Sequence, residues 1–286
     1  MAPADLLVVL HARRGEEVLR EWQATDPDLP VLVALTGTDV YRDLGSDPSV
    51  LENLENATAI VALQEDAKER LPAALRSRTH VIYQSATPTG VTENSTVEEL
   101  SSLESVDLAV VANLRPEKDP LLPARAIERL SDVALTLTLV GAELDSDLAR
   151  EAEAIAAREP RFRWLGLLDA DETRRRIAAA HLVVIPSRIE GSCNVLSEAL
   201  VDGVPVLATR IGGLVGTLGE DYPGYFPVGD VDALARTIAR AIEDGAYYRK
   251  IRAAARACAV KASPATELAA WRVLLATLLD AENRPK

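Results

Sequence analysis

Two glutamates, Glu190 and Glu198, stand on either side of a short turn of small residues. An apolar run at residues 182–185 predicts a strand that ends just before this turn. The pattern of apolar residues over positions 195–200 predicts a helix that begins just after it. The expected order is therefore strand, acidic loop, turn and helix.

This arrangement suits a ligand that carries both phosphates and hydroxyls. The turn would direct several backbone N–H groups and the positive end of a helix towards one point, which favours an anion such as a diphosphate. Carboxylates do not bind phosphate, but they accept hydrogen bonds from sugar hydroxyls. A diphosphate between two sets of hydroxyls describes a nucleotide-sugar. The alternative is that both glutamates are solvated and the turn is an ordinary connection between strand and helix.

Further groups that could act on such a ligand lie at the ends of other predicted strands in the second half. Asn113, Arg115 and Lys118 follow an apolar run at residues 108–112. Cations there would neutralise a departing diphosphate. Gly166 and Leu167 follow another predicted strand and are candidates for stacking against a nucleotide base. Solvated loop residues are the alternative for Arg115 and Lys118.

The first half offers candidates for the acceptor of a transferred group. His11 follows the apolar run at residues 6–10, and ligands bind at the carboxyl ends of strands in an open α/β sheet. Arg13 and Arg14 could bind an anionic acceptor; a structural histidine and solvated arginines are the alternatives. The next strand ends in four residues whose hydroxyls and amides could hydrogen-bond an acceptor or a sugar: Thr36, Gly37, Thr38 and Asp39.

Composition limits the possible partners. The chain has 286 residues and a net charge of −13, which argues against nucleic acid and acidic membrane surfaces as main partners and leaves small molecules. It has no apolar run of about 18 residues and so no expected membrane span, and its start does not resemble a signal peptide. Its two cysteines suggest a reduced, cytoplasmic location. No Cys/His cluster has metal-ligand spacing, so neither a metal nor a tightly bound cofactor is expected.

The alternation of apolar and amphipathic segments predicts an α/β fold with parallel sheets. Predicted strands include residues 6–10, 31–35 and 59–63, and a helix is predicted over residues 66–75. A stretch rich in Ser, Thr and Glu, from about residue 85 to 105, is predicted to be a linker.

The run SRIEGSCNVLSEAL followed by VDGVPVLAT resembles the E-x7-E motif of GT-B glycosyltransferases. The resemblance implies that Glu190 contacts the donor sugar and Glu198 the ribose. It also implies three catalytic residues, which are His11, Lys118 and Glu190. The turn amides would bind the diphosphate at Gly191, Cys193, Asn194 and Val195. Asn113 occupies the position of an arginine in the family's G-R-L-x-x-x-K segment, and Arg115 could compensate for it.

Several segments together, including NLRPEKDPLLPARA and LGEDYPGYFPVGD, resemble the selenosugar synthases of selenoneine biosynthesis. That resemblance implies metal-independent transfer of a sugar from UDP-N-acetylglucosamine to selenophosphate. The rivals are a general hexosyltransferase with a lipid or small-metabolite acceptor and an inactive nucleotide-sugar-binding module.

The resemblance also implies a domain organisation. Residues 1–105 would form a shortened acceptor-side Rossmann-like domain that lacks the usual glycine-rich loop, with the linker from about residue 85. Residues 106–262 would bind the nucleotide-sugar, and residues 263–286 would form a helix that crosses back to the first domain. The strand at residues 6–10 is apolar throughout, so we expect it to need cover on both faces and partners on both edges. If it lacks a neighbour, its open edge would favour self-association.

Overall fold

The computed structural model describes residues 4–91 and 97–280, which divide into two compact units. The first unit contains the residues up to Gln84, the three residues Glu190–Ser192, and the chain from Pro264 onwards. The second unit contains Ser85–Ile189 and Cys193–Ser263. Each unit has its own parallel sheet, which confirms the predicted α/β class.

The secondary structure of the chain up to Gln84 consists of β1 (Leu7–Leu10), α1 (Glu16–Thr25), β2 (Val31–Ala34), a π-helical turn at Asp39–Asp43, α2 (Pro48–Glu55), β3 (Ala59–Ala62), α3 (Glu65–Glu69), α4 (Ala73–Arg76) and β4 (Thr79–Val81). The second unit contains β5 (Val106–Val111), α5 (Leu122–Ile127), β6 (Leu135–Val140), α6 (Ser146–Arg158), β7 (Phe162–Trp164), α7 (Ala170–Ala179), β8 (Leu182–Ile185), α8 (Asn194–Val201), β9 (Val206–Thr209), α9 (Gly212–Leu218), β10 (Tyr225–Phe226), α10 (Val231–Glu243) and α11 (Gly245–Cys258). Short 3₁₀ turns occur at Leu100–Ser102, Pro116–Lys118 and Ala259–Ala262, and α12 (Pro264–Leu279) completes the first unit.

The first sheet has the order β1-β2-β3-β4, and its neighbouring strands are parallel. Strands β2 and β3 are buried along their whole length, as expected for a parallel sheet with helices on both faces. Leu19 of α1 and Leu54 of α2 pack in the core on one face. Leu274 of α12 packs with Leu32 and Val61 on the other face.

Two expectations for the first unit are wrong. Strand β1 is an edge strand that pairs with β2, and it is not covered on both faces, since Val8 is 45% and Leu10 is 73% exposed. The predicted helix at residues 66–75 is two short helices, α3 and α4, separated at Pro72. Proline lacks the backbone N–H that a continuous helix needs, so the break has a local cause.

The second sheet has the order β10-β9-β8-β5-β6-β7. From β5 the chain builds outwards through β6 and β7, and then crosses to the other side of β5 to form β8. Ligands of open α/β sheets bind outside the carboxyl ends of the strands at such a reversal of strand order. The loops after β5 and β8 are therefore the expected place for a ligand.

Aspartates begin several helices of the second unit and fix their first turns. Asp230 accepts a hydrogen bond from the backbone N–H of Ala233 at 2.8 Å and so caps the start of α10. Asp244 caps α11 in the same way through Tyr247 N at 3.0 Å. Each such cap contributes about 1 kcal/mol. Within residues 4–91 and 97–280, no helix is both long and apolar enough to cross a bilayer.

The segment expected to be a linker packs on the second unit where it is described. Thr89 donates hydrogen bonds from its backbone N and its Oγ1 to Asp202 Oδ1, at 2.7 and 3.0 Å. Leu100 is fully buried in the second core. Residues 92–96 of this predicted linker lie outside the described residues.

Candidate functional site

The turn between β8 and α8 places Glu198 on the second helical turn of α8. Cys193 is the residue before α8 and is buried; its carbonyl accepts hydrogen bonds from the N–H groups of Leu196 and Ser197. Asn194 is exposed and Val195 is half-buried at the start of the helix. The expected geometry of strand, turn and helix is therefore present.

Glu198 is half-buried where α7 packs on α8. Its Oε2 is 3.9 Å from Nη1 of Arg174, whose Nη2 contacts Asp202 Oδ2 at 2.9 Å. Burial raises the pKa of the Glu198 carboxyl; Arg174 opposes this shift and Asp202 adds to it. Nη1 of Arg174 is buried without a hydrogen-bond partner, and 3.9 Å is too long for a direct bond to Glu198.

The segment after β5 presents cations at the carboxyl end of the sheet. Arg115 is exposed and its Nη1 lies 4.0 Å from Glu117 Oε1. Lys118 is half-buried and its backbone N–H donates to the carbonyl of Arg115 at 3.0 Å. Asn113 is exposed, and its Oδ1 accepts the backbone N–H of Ala142 at 2.9 Å, which ties this loop to the end of β6. Asn113 thus makes a neutral structural contact where the family pattern has a cation.

A further cation, Arg188, joins the loops after β5 and β8. Its backbone N–H donates to the carbonyl of Glu117 at 2.8 Å, and its Nη2 donates to Asp119 Oδ2 at 2.6 Å. Asp119 is buried and has a positive φ of 43°, which is uncommon for a residue with a side chain. Half of the Arg188 side chain remains exposed. Sequence reasoning missed Arg188, although its position two residues before Glu190 was a visible signal.

Gly166 and Leu167 follow β7 at the same edge of the second sheet. The carbonyl of Gly166 accepts the N–H of Gly141, and Gly166 has a positive φ of 69°. Leu167 is 74% exposed, so an apolar surface is available next to this turn. The expected donor residues that belong to the second unit therefore follow three of its strands, β5, β7 and β8, at their carboxyl ends.

Glu190 and Gly191 belong to the first unit, where Gly191 packs on Gly37. A Cβ added to Gly191 would lie 2.2 Å from Gly37 N, and one added to Gly37 would lie 2.5 Å from Gly191 N. Both positions therefore require glycine. Gln64, which is fully buried, donates from Nε2 to the Gly191 carbonyl at 3.3 Å and to the Tyr41 hydroxyl at 2.6 Å. Glu190 itself is buried.

His11 lies between the ends of β1 and β2 with both ring nitrogens in contact. Its Nδ1 is 2.6 Å from Asp39 Oδ1, and its Nε2 is 2.9 Å from Thr38 Oγ1. The other oxygen of Asp39 accepts hydrogen bonds from the N and Oγ1 of Thr36, at 2.8 and 3.0 Å. Because β1 and β2 are parallel neighbours, their carboxyl ends bring these residues together.

Two exposed arginines, Arg13 and Arg14, follow His11. Arg13 Nε is 3.2 Å from Asp43 Oδ2, and Arg42 Nε donates to Asp43 Oδ1 at 2.8 Å. These contacts hold the pKa of Asp43 below its usual range, with the Arg42 hydrogen bond as the main cause. His11, Asp39 and Asp43 offer ligand atoms within 4.8 Å of one another.

The first unit thus contains His11 and the six residues expected on the acceptor side, which are Arg13, Arg14, Thr36, Gly37, Thr38 and Asp39. The second unit contains Lys118 and most residues expected on the donor side. Sequence reasoning missed Arg174, Arg188, Gln64 and Asp43. Arg174 and Gln64 gave no signal in the sequence because their relevance depends on which helix or loop they pack against.

Comparison with known proteins identifies the family. Residues 92–257, more than half of the chain, match the family described as "Glycosyl transferases group 1". A 2-deoxystreptamine N-acetyl-D-glucosaminyltransferase of Streptomyces fradiae is 36% identical over 118 residues, which is 41% of this chain and 28% of that protein. A D-inositol 3-phosphate glycosyltransferase of Xylanimonas cellulosilytica is 27% identical over 238 residues, covering 77% of this chain and 55% of that protein. The matched region therefore spans about half or less of the length of these two relatives.

Solved structures extend the likeness to both sheets. The structure of Anabaena HepE in complex with UDP superposes with a TM-score of 0.76 at 21% identity, covering 95% of this chain and 79% of that one. At this level of identity the likeness concerns the fold, which is of the GT-B type. Together with the family match, these findings show that the chain belongs to the group 1 glycosyltransferases.

Proposed function

We propose that the chain transfers N-acetylglucosamine from UDP-N-acetylglucosamine to selenophosphate and so forms a selenosugar. In this reaction the bond between C1 of the sugar and the β-phosphate oxygen breaks, and its electron pair leaves on UDP. A bond from selenophosphate to C1 replaces it. The protein must therefore bind a nucleotide, stabilise a leaving diphosphate and bind a small anion.

One observation carries the donor half of the proposal. The half-buried Glu198 lies on the second turn of α8, and the cations Arg115, Lys118 and Arg188 lie on the loops after the neighbouring strands β5 and β8. We assign Glu198 to the ribose hydroxyls and the cations to the diphosphate, together with the amides of residues 193–195. Leu167, which is exposed after β7 at the same edge of the sheet, would pack against the base. The likeness to a protein solved in complex with UDP favours uracil as that base.

The first unit supplies the acceptor half. Arg13 and Arg14 are exposed directly after His11, and charge-assisted hydrogen bonds from arginine suit a small multivalent anion. Thr36, Gly37 and Thr38 would add hydroxyl and amide contacts. We assign His11 and Glu190 to the transferred sugar. A relative named for inositol 3-phosphate as acceptor supports an anionic acceptor.

We propose that the transfer needs no divalent metal. Metal ions serve many transferases by neutralising a leaving diphosphate. Here the side chains of Lys118, Arg115 and Arg188 and the positive end of α8 would supply that charge. Turnover should therefore persist in EDTA, and a strict requirement for added Mg²⁺ or Mn²⁺ would contradict this part of the proposal.

A second candidate is a hexosyltransferase with another small-metabolite acceptor. The names of the curated relatives favour it, because they specify 2-deoxystreptamine and inositol 3-phosphate as acceptors. This candidate shares the donor site and differs in what the arginines after His11 bind.

Release of UDP from UDP-N-acetylglucosamine separates these candidates. Parallel reactions would contain selenophosphate, inositol 3-phosphate, 2-deoxystreptamine or no acceptor, with mass spectrometry of the sugar product. We expect release that depends on selenophosphate. Release that depends on another acceptor would replace the proposal with the second candidate. UDP binding without release in any reaction would indicate an inactive nucleotide-sugar-binding module.

A further inference from the structure

A buried carboxylate, that of Asp119, joins the loops after β5 and β8. Its Oδ2 accepts a hydrogen bond from Nη2 of Arg188 at 2.6 Å, and its Oδ1 lies 3.7 Å from Nη1 of Arg125. Arg125 also donates two hydrogen bonds to Glu151, from Nε and Nη2, each at 2.8 Å. Arg125 therefore has an anchor of its own, and the shortest side-chain contact of Asp119 is the one with Arg188.

The local turn does not require an aspartate at position 119. Asp119 has a φ of 43°, in the left-handed region, and its side chain is only 8% exposed. Aspartate enters this region more often than most residues, but glycine adopts it without strain and buries no charge there. An uncommon backbone conformation that is kept together with a buried charge points to a role for the side chain.

The side chain of Arg188 is held at its tip but is not enclosed. Its Nη2 is bound by Asp119 and lies next to Gly229, where an added Cβ would be 3.3 Å away. Half of the side chain is exposed. Strands β5 and β8 are neighbours, and Cys193, which precedes α8, follows Arg188 by five positions. Arg188 thus lies at the carboxyl ends of the two strands to which we assign the diphosphate.

We propose that Asp119 is a positioning residue that holds Arg188 towards the diphosphate of the donor, and that Arg188 replaces the cation absent at position 113. Asn113 is neutral, and its Oδ1 is engaged by the N–H of Ala142. Arg115 is exposed and lies 4.0 Å from its acidic neighbour, so it is held less firmly. The inference rests on the proposed function, because it takes the ligand to be a nucleoside diphosphate.

Removal of the Asp119 side chain has two opposing effects on the binding of a diphosphate. The loss of a negative charge favours an anion, because it reduces repulsion. The release of Arg188 disfavours binding, because a free side chain must be ordered when the ligand binds, which weakens affinity by roughly twofold to tenfold. The proposal requires the second effect to be the larger one, so a gain in affinity would overturn it.

Two substitutions at position 119 separate the side chain from the backbone. Asp119→Gly removes the carboxylate but suits the positive φ, and Arg125 keeps its two bonds to Glu151, so we expect the fold to be retained. Asp119→Asn also suits this backbone and keeps an acceptor for Arg188. The asparagine should therefore restore most of the affinity that the glycine loses.

The assay is isothermal titration calorimetry of the full chain with UDP. Arg188→Ala should weaken UDP binding by roughly tenfold to hundredfold, because it removes a charge-assisted hydrogen bond. Asp119→Gly should weaken it by roughly twofold to tenfold, and Arg115→Ala should weaken it less than Arg188→Ala does. Arg150→Ala is the matched control, since Arg150 is an exposed arginine of α6 that pairs with Asp147, and this variant should bind UDP as the wild type does.

A ligand without phosphate and a double variant test the positioning role itself. Uridine, titrated in competition with UDP, should bind all of these proteins alike, a result that a general loss of structure would not give. In an Arg188→Ala background, Asp119→Gly should cause no further loss of UDP affinity, because no side chain remains to be positioned. Losses that add up would overturn the proposal. A folded Arg188→Ala protein with unchanged UDP affinity would also overturn it, and that result does not depend on the variants at position 119.

The same titrations distinguish failure of this inference from failure of the proposed function. A wild type that binds UDP with an affinity insensitive to substitutions at positions 119 and 188 refutes the inference and leaves the proposed donor site in place. A wild type that binds no UDP refutes the proposed donor site, and the role of Asp119 with it.

Discussion

Replacing Glu198 with alanine is the most direct test of the donor site. If Glu198 accepts hydrogen bonds from the ribose hydroxyls, its removal costs a charge-assisted hydrogen bond of about 1.5–3 kcal/mol. Each 1.4 kcal/mol corresponds to about a tenfold change in affinity. Affinity for UDP should therefore fall by roughly tenfold to hundredfold.

The surroundings of Glu198 indicate that the fold will tolerate this change. Arg174 makes its shorter contact with Asp202 at 2.9 Å, whereas its Nη1 is 3.9 Å from Glu198. Arg174 also donates to the Thr87 carbonyl at 2.7 Å. The arginine thus keeps two partners after the substitution, so no buried cation is left uncompensated. We expect little change in the thermal unfolding midpoint.

Isothermal titration calorimetry with UDP is the assay, and two further variants sharpen it. Glu198→Gln keeps an acceptor oxygen but loses the charge, so its loss of affinity should lie between those of the wild type and Glu198→Ala. Glu153→Ala changes the net charge by the same amount at an exposed position on α6 and should bind UDP as the wild type does. Unchanged UDP affinity in a folded Glu198→Ala protein would refute the assignment and leave Glu198 as a structural residue.

Three further predictions concern pH, packing and assembly. Burial raises the pKa of Glu198 above its ordinary 4.5, so the free carboxyl should become protonated at a higher pH than an ordinary glutamate. Binding of UDP should therefore weaken as the pH is lowered through that range. This component of the pH dependence should be absent when Glu198→Gln is titrated in the same way. Gly191→Ala should lower the free energy of unfolding of the first unit by about 1–3 kcal/mol, because the new methyl group overlaps the Gly37 backbone. Gly45 has open space around it, so Gly45→Ala should lower the free energy of unfolding by less in the same denaturant titration. The exposed Val8 and Leu10 on edge strand β1 should promote self-association. By light scattering, the wild type should therefore have a larger apparent mass than a variant with lysine at both positions. A wild type that is monomeric at all concentrations would exclude self-association through this strand.

The sequence was a good guide to the strands because parallel sheets require continuous apolar runs. Strands β2, β3 and β8 are short apolar segments that are fully buried, and each was expected within a residue or so of its observed bounds. Burial of β1 was wrongly inferred from the same pattern, since an edge strand can have an apolar sequence without cover on both faces. Helix α11 was missed, although Asp244 offered a capping signal at its start.

The candidate site was less predictable, since motifs name residues but not their contacts. The proximity of His11 to Thr38 follows from parallel pairing of β1 with β2, which was foreseeable. The burial of Asp39 and the direction of its two oxygens were not, because they depend on the π-helical turn at Asp39–Asp43. The link between Arg174 and Glu198 arises from packing of α7 on α8, for which a single sequence carries no signal.

The two glutamates of the motif have different structural requirements, even though they are only eight residues apart. Glu198 is fixed by a regular helix of the second unit, so its position depends on α8 and on its charged neighbours. Glu190 belongs to the first unit, where its loop is held by the glycine contact between Gly37 and Gly191 and by the buried amide of Gln64. Substitutions near Gly37 should therefore disturb Glu190 without affecting the position of Glu198. If the proposed roles are correct, such substitutions would impair sugar transfer more than UDP binding, whereas changes at Glu198 would impair both.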